Sequence, residues 1–151
     1  MKEGTHMTKT EIFEFLSGCP CFYLATCDAG EPRVRAIMLY RADENGIIFH
    51  TGPFKEVYRQ IGQNAHVQLC FHDMAKGLQV RVRGALENVS AQALKEEIAN
   101  HPSRGFMQAW KANCKSEEEF YGMFDVFRLK NGIANVWTFQ TNFAPKEDIM
   151  L

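Results

Sequence analysis

Short strand-like runs, parted by turn signals and never alternating regularly with helices, constrain this chain most. In "GLQVRVRGALENVS", residues 77–90, Gln79, Arg81 and Arg83 alternate with Val80 and Val82. A period of two sends the valines to one face and the three polar side chains to the other. "CFYLATCD", "RVRAIMLYR", "IIFHT" and "HVQLCFHD" also read as strands, with "DAGEP", "ENG" and "MAKG" as turns. "TKTEIFEFLSG" reads as a helix. Thr8 and Glu11 form a capping box, Ile12, Phe15 and Leu16 share a face, and Gly18 stops it. "KEVYRQIGQN" is a short helix with Val57 and Ile61 one turn apart. "SAQALKEEIANHP" is another, predicted to open at Ser90 and close before Pro102. Residues 103–123 are helical or irregular. "DVFRLKNGIANVWTF" predicts a closing hairpin turned at Asn131-Gly132. Six or seven strands without βαβ alternation predict a mainly β fold, an antiparallel barrel with peripheral helices.

The length of 151 residues suits a single domain over 1–151. Residues 1–7, "MKEGTHM", carry no weight in this reading, since Met7 is a second possible start and the segment is expected to be disordered or extraneous. A formal net charge of −1 argues against a nucleic-acid partner, which calls for a basic excess. No apolar run reaches the ~18 residues of a membrane span, and no signal-peptide pattern opens the chain. Five cysteines, odd in number and without zinc-type spacing, predict a reduced, cytoplasmic protein.

Glycine-rich phosphate loops are absent, so a bound phosphate would need side-chain cations. The candidates are Arg33, Arg35, Lys55, Arg81 and Arg83; the competing reading makes each part of a solvated barrel face. His66, Cys70 and His72 share one strand face, but His66 and Cys70 stand ~13 Å apart and cannot share an ion. No metal site is expected. Cys19 and Cys21, around Pro20, read as an incidental pair in a reduced compartment. No GxSxG elbow occurs, and no catalytic residue is assigned. Trp110, Trp137 and Phe139 suit either a core or the cover of a planar ring.

The ordered set "FYLATCDAGEPRVRAIML", "IIFHTGPFKEVYRQIGQNAHVQLCF" and "LQVRVRGALENV" resembles the pyridoxamine 5'-phosphate oxidase-like family of flavin-binding split barrels. The resemblance implies a six-stranded Greek-key split barrel, a homodimer, and FMN in two clefts between subunits. By that resemblance Arg35 grips the FMN phosphate, Lys55 is the second phosphate cation, and the main chain of Ala36, Ile37 and Met38 borders the isoalloxazine ring. His50 and Thr51 stand where the family usually has an aromatic-threonine pair reaching the flavin. Gln79 approaches the ring, Arg81 belongs to the same motif, and Trp137 covers the ring from the partner subunit. Arg83 gains no role and stays on the surface.

The family's biosynthetic oxidases carry a C-terminal arginine-histidine segment for their substrate, whereas "TFQTNFAPKEDIML" has neither residue. The resemblance therefore points to the small relatives of general stress or nitroimidazole-resistance type, with an unidentified small-molecule substrate. FMN itself carries hydride or electron chemistry, which accounts for the missing catalytic triad. Two alternatives remain at this level. One is a flavin- or haem-binding sensor or store on the same fold, with His50, His66 or His72 as axial ligand. The other is an interaction domain with an empty cleft.

Overall fold

The computed structural model describes residues 6–151, so residues 1–5 of the discounted opening segment lie outside it. Helix α1 (Lys9–Ser17) starts at Thr8, whose Oγ1 accepts from the Glu11 amide and donates to Glu11 Oε1. It buries Ile12, Phe15 and Leu16. Strands β1 (Cys21–Asp28) and β2 (Glu31–Met38) then pair across a two-residue turn. Ala29 and Gly30 both take positive φ, 52° and 86°, as a type I′ hairpin requires.

The rest of the chain supplies β3 (Arg41–Asp43), β4 (Gly46–Thr51), α2 (Glu56–Gln63), β5 (His66–Asp73) and β6 (Leu78–Asn88). After these come α3 (Gln92–Ala99), α4 (Phe106–Ala112), α5 (Glu117–Tyr121), β7 (Asp125–Leu129), β8 (Ile133–Thr138) and β9 (Ile149–Met150). Every strand pair is antiparallel, and the sheet runs β2-β1-β5-β6-β7-β4-β3, with β8 beside β6 and β9 beside β8.

The fold is mainly β, an antiparallel split barrel whose hydrogen-bonded path is not closed. Its two ends, β2 and β3, are successive parts of one run of chain. The Leu39 amide still bonds Pro20 O on the β1 side, and the Tyr40 amide already bonds Ile48 O of β4. The run changes neighbours there, and the barrel is split at that seam. Val80 and Val82 are fully buried, together with Phe22, Leu24, Phe49, Leu69 and Phe71, so the alternation in β6 points as predicted. A second apolar cluster, including Ile98, Met107, Phe120 and Phe124, lies under α3–α5. Among the described residues no helix is long and apolar enough to cross a membrane.

Two local expectations need correction. Helix α3 starts at Gln92 with Ala91 as its N-cap, because the Ser90 hydroxyl accepts the Val126 amide of β7 instead. The Asn131-Gly132 pair is no hairpin turn. β7 and β8 do not pair with each other; both run antiparallel to β6, with Leu86 opposite Leu129 and Arg83 opposite Ile133. Residues 130–132 therefore face only Gly84 and Ala85, which makes the site a β-bulge in one long run. Asn131 adopts φ 56°, and this left-handed backbone is common to bulges and tight hairpins. A Cβ on Gly132 would come to 2.5 Å from Leu129 Cδ2 and 2.6 Å from Val82 Cγ1. Gly132→Ala should thus destabilise the fold by about 1–3 kcal/mol through overpacking, read as a lower urea midpoint at unchanged slope.

Candidate functional site

The barrel's split makes β2 an edge strand. Its backbone pairs with β1 on one side only, and the other side is available to a ligand. Ala36, Ile37 and Met38 at this edge line a cleft of about 480 Å³. Across from them stand His50 and Thr51 at the end of β4, then Gly52, Phe54 and Lys55 in the turn into α2. Phe106 and Trp110 of α4, their rings 5.1 Å apart and edge-on, close the wall with Met123 and Phe124. No carboxylate is among the lining residues.

The polar groups of this cleft are few. The Lys55 ammonium has no hydrogen bond or ion pair among the described residues, while Arg33, Arg59 and Arg83 lie against Glu31, Asp28 and Asp148. Thr51 Oγ1 is buried and lacks a hydrogen-bond partner. Such an atom costs free energy unless a partner is supplied. His50 Nε2 accepts a 2.9 Å hydrogen bond from Arg104 Nε. The His50 pKa is pushed down to about 4, first by burial and then by the charges of Arg104 and Lys55. The imidazole is therefore neutral at pH 7.

Six of the ten residues implied by the resemblance meet in this one cleft: Ala36, Ile37, Met38, His50, Thr51 and Lys55. Arg35 does not line it. Its guanidinium donates to Thr26 Oγ1 at 2.7 Å, Gln60 Oε1 at 2.6 Å and Leu24 O at 3.2 Å, along the flank of α2. Gln79, Arg81 and Trp137 also stand apart. Register puts Gln79 between His72 and Trp137, and Arg81 between Cys70 and Asn135, on the outward face of the sheet. Arg83 shares that face and is held by Asp148 at 2.8 Å and Asn135 at 2.9 Å. A groove of about 490 Å³ also lies on this face, but its cation, Arg83, is already committed.

Sequence reading missed Arg104, Phe106 and Gln60. Arg104 is only 2% exposed and follows Pro102 in a 3₁₀ turn before α4. The stretch around it carries no clear period, so burial of this arginine had no signal beyond its position among apolar and aromatic neighbours.

Fold and cleft together define a small antiparallel split-barrel protein with an aromatic-walled, cation-bearing site at the split. The chain belongs to the pyridoxamine 5'-phosphate oxidase family, whose model matches residues 8–131. A pyridoxine/pyridoxamine 5'-phosphate oxidase of Maricaulis maris (strain MCS10) is 39% identical over 88 residues, which are 58% of this chain and 40% of that protein. The chain thus spans less than half the length of this relative. A NimC/NimA family protein from Clostridium acetobutylicum superposes with TM-score 0.71 at 24% identity, over 94% of this chain and 92% of that one. A pyridoxamine 5'-phosphate oxidase-related, FMN-binding protein from Nostoc punctiforme PCC 73102 gives 0.63 at 18%, covering 85% and 78%. A heme binding protein from Mycobacterium smegmatis gives 0.62 at 13%, covering 90% and 55%. These structural likenesses establish the fold.

Proposed function

We propose that the chain is a homodimeric, FMN-binding oxidoreductase that acts on a small molecule. The observation that carries this reading is the convergence, in a cleft without carboxylates, of the β2 edge, the unpartnered Thr51 hydroxyl and the free Lys55 ammonium. A phosphate-bearing planar ring satisfies all three at once: Lys55 suits the phosphate, the edge backbone and Thr51 suit ring heteroatoms, and the aromatic wall suits the ring. FMN, when bound, supplies the hydride or electron transfer. The chain's own residues bind it, orient it and keep its surroundings free of negative charge.

The dimer rests on the outward sheet face. Tyr23, Val34 and Met38 are 56%, 69% and 48% exposed there, more apolar surface than a solvated strand face needs. Ala36 sits opposite Tyr23, and Met38 opposite Cys21, so the cleft opens beside this face. A second copy laid on it would bring Gln79, Arg81 and Trp137 towards a cleft that they do not reach within one chain.

No specific observation favours haem. His50 Nε2 is already engaged by Arg104, and His66 and His72 are exposed on the sheet's outer face. Purified protein, or protein mixed with FMN and desalted, should retain flavin with an absorption band near ~450 nm that bleaches on reduction. Protein that stays colourless after incubation with FMN sinks the reading, and a Soret band without flavin would transfer it to haem.

A further inference from the structure

Arg104 is a buried cation that none of the expected roles uses. It comes from the 3₁₀ turn before α4, yet its Nη2 donates to Leu39 O at 2.8 Å, at the seam where the run changes from β1 to β4. Its Nη1 reaches Ser103 Oγ at 3.2 Å, and its guanidinium carbon lies 5.5 Å from the centre of the Tyr40 ring. Its Nε is spent on His50 Nε2. A guanidinium can only donate, so His50 Nε2 must present its lone pair. A neutral imidazole with Nε2 as acceptor carries its single proton on Nδ1.

We propose that Arg104 is a positioning residue of the cleft: it locks His50 as the Nδ1–H tautomer, so that His50 offers a bound ring a hydrogen-bond donor. With Nε2 taken, His50 has neither a lone pair to give a metal nor an acceptor to give the ring. The charge of Arg104 lies one imidazole away from the cleft, acts on His50 together with that of Lys55, and favours a ligand that gains negative charge. For a flavin the reduced form is the one so favoured, and this part of the inference rests on the FMN reading.

The test begins with the unliganded wild-type chain. Long-range ¹H–¹⁵N NMR should find the His50 proton on Nδ1; a proton on Nε2 overturns the proposal. In Arg104→Gln, loss of the neighbouring charge should raise the His50 pKa from about 4 by more than ~0.5 unit, while burial still keeps it below the ordinary imidazole value. Arg104→Lys, which keeps the charge and a donor, should hold it near the wild-type value. With FMN bound, Arg104→Gln should shift the reduction equilibrium at least tenfold towards oxidised flavin, ~30 mV for a two-electron couple. An unchanged His50 titration together with an unchanged potential overturns the proposal. Should the chain take up no FMN at all, the flavin reading falls, and the NMR measurements still decide the role of Arg104.

Discussion

Replacing Arg35 and Lys55 together with alanine should weaken FMN binding by about 10²–10⁴-fold, because two charge-assisted phosphate contacts contribute roughly 1.5–3 kcal/mol each. Lys55 is the simpler member of the pair. It occupies the N-cap position of α2, which has no side-chain cap, and its ammonium is free among the described residues. An anion there gains both the ammonium and the positive end of the helix. Arg35 is less direct. Three of its N–H directions are spent on Thr26, Gln60 and Leu24, which fixes the guanidinium beside the first turns of α2 and leaves the others to reach a phosphate. Lys55→Ala alone should therefore cost affinity without stability, whereas Arg35→Ala should cost some of both. Arg59 of the same helix is held by Asp28 at 3.1 Å and serves as the control, since Arg59→Ala should leave affinity within threefold. Fluorescence titration of FMN reads all four variants. A double variant that binds like wild type would remove both residues from the site.

The parts of this molecule that were legible in the sequence are those whose cause is local. Val80 and Val82 alternate with polar neighbours, and burial of one face follows from that alternation alone. Thr8 caps α1 because its hydroxyl is three residues from the amide it serves. Asn131-Gly132 shows where local reasoning stops. Its left-handed backbone is legible, but whether the chain then reverses or merely bulges depends on β6, more than forty residues upstream. The cleft divides in the same way. His50, Thr51 and Lys55 are close in sequence and meet because one strand end and one turn carry them. Arg104 reaches His50 across 54 positions, and Gln60 reaches Arg35 across 25, so neither contact has a sequence signature. Gln79, Arg81 and Trp137 remain outside the cleft of a single chain; if they serve it, they do so from a second copy.

The largest loss of stability should come from Lys95→Met, which leaves Asp125 without its cation and should cost about 3–5 kcal/mol at neutral pH. Lys95 is on α3, its side chain only 11% exposed, and its Nζ lies 3.0 Å from Asp125 Oδ1 and 2.7 Å from Tyr121 O. Asp125 Oδ2 accepts from Tyr58 Oη at 2.8 Å and Asn88 Nδ2 at 3.3 Å. One carboxylate thereby ties the start of β7 to α2, α3 and the end of β6. Burial alone would push the Asp125 pKa up, but the contacts from Lys95, Tyr58 and Asn88 outweigh it and hold the pKa below the usual carboxylate value. A depressed folded-state pKa means stability that is present above the unfolded value, near 3.8, and lost as pH falls through the folded one. Without Lys95 only Tyr58 and Asn88 still oppose the burial that raises the Asp125 pKa, so the variant's deficit should be greatest near pH 7 and shrink as pH falls below the unfolded value near 3.8. Adding Asp125→Asn to Lys95→Met should recover more than half of the loss, because a neutral amide oxygen still accepts from Tyr58 and no buried charge remains unpaired. Urea unfolding of the four proteins in this cycle at pH 7 and at about pH 3, below the unfolded carboxylate value, measures both effects. A deficit independent of pH, or no recovery on adding the asparagine, would mean that the lost aliphatic packing of Lys95 and not its charge holds α3 on the barrel.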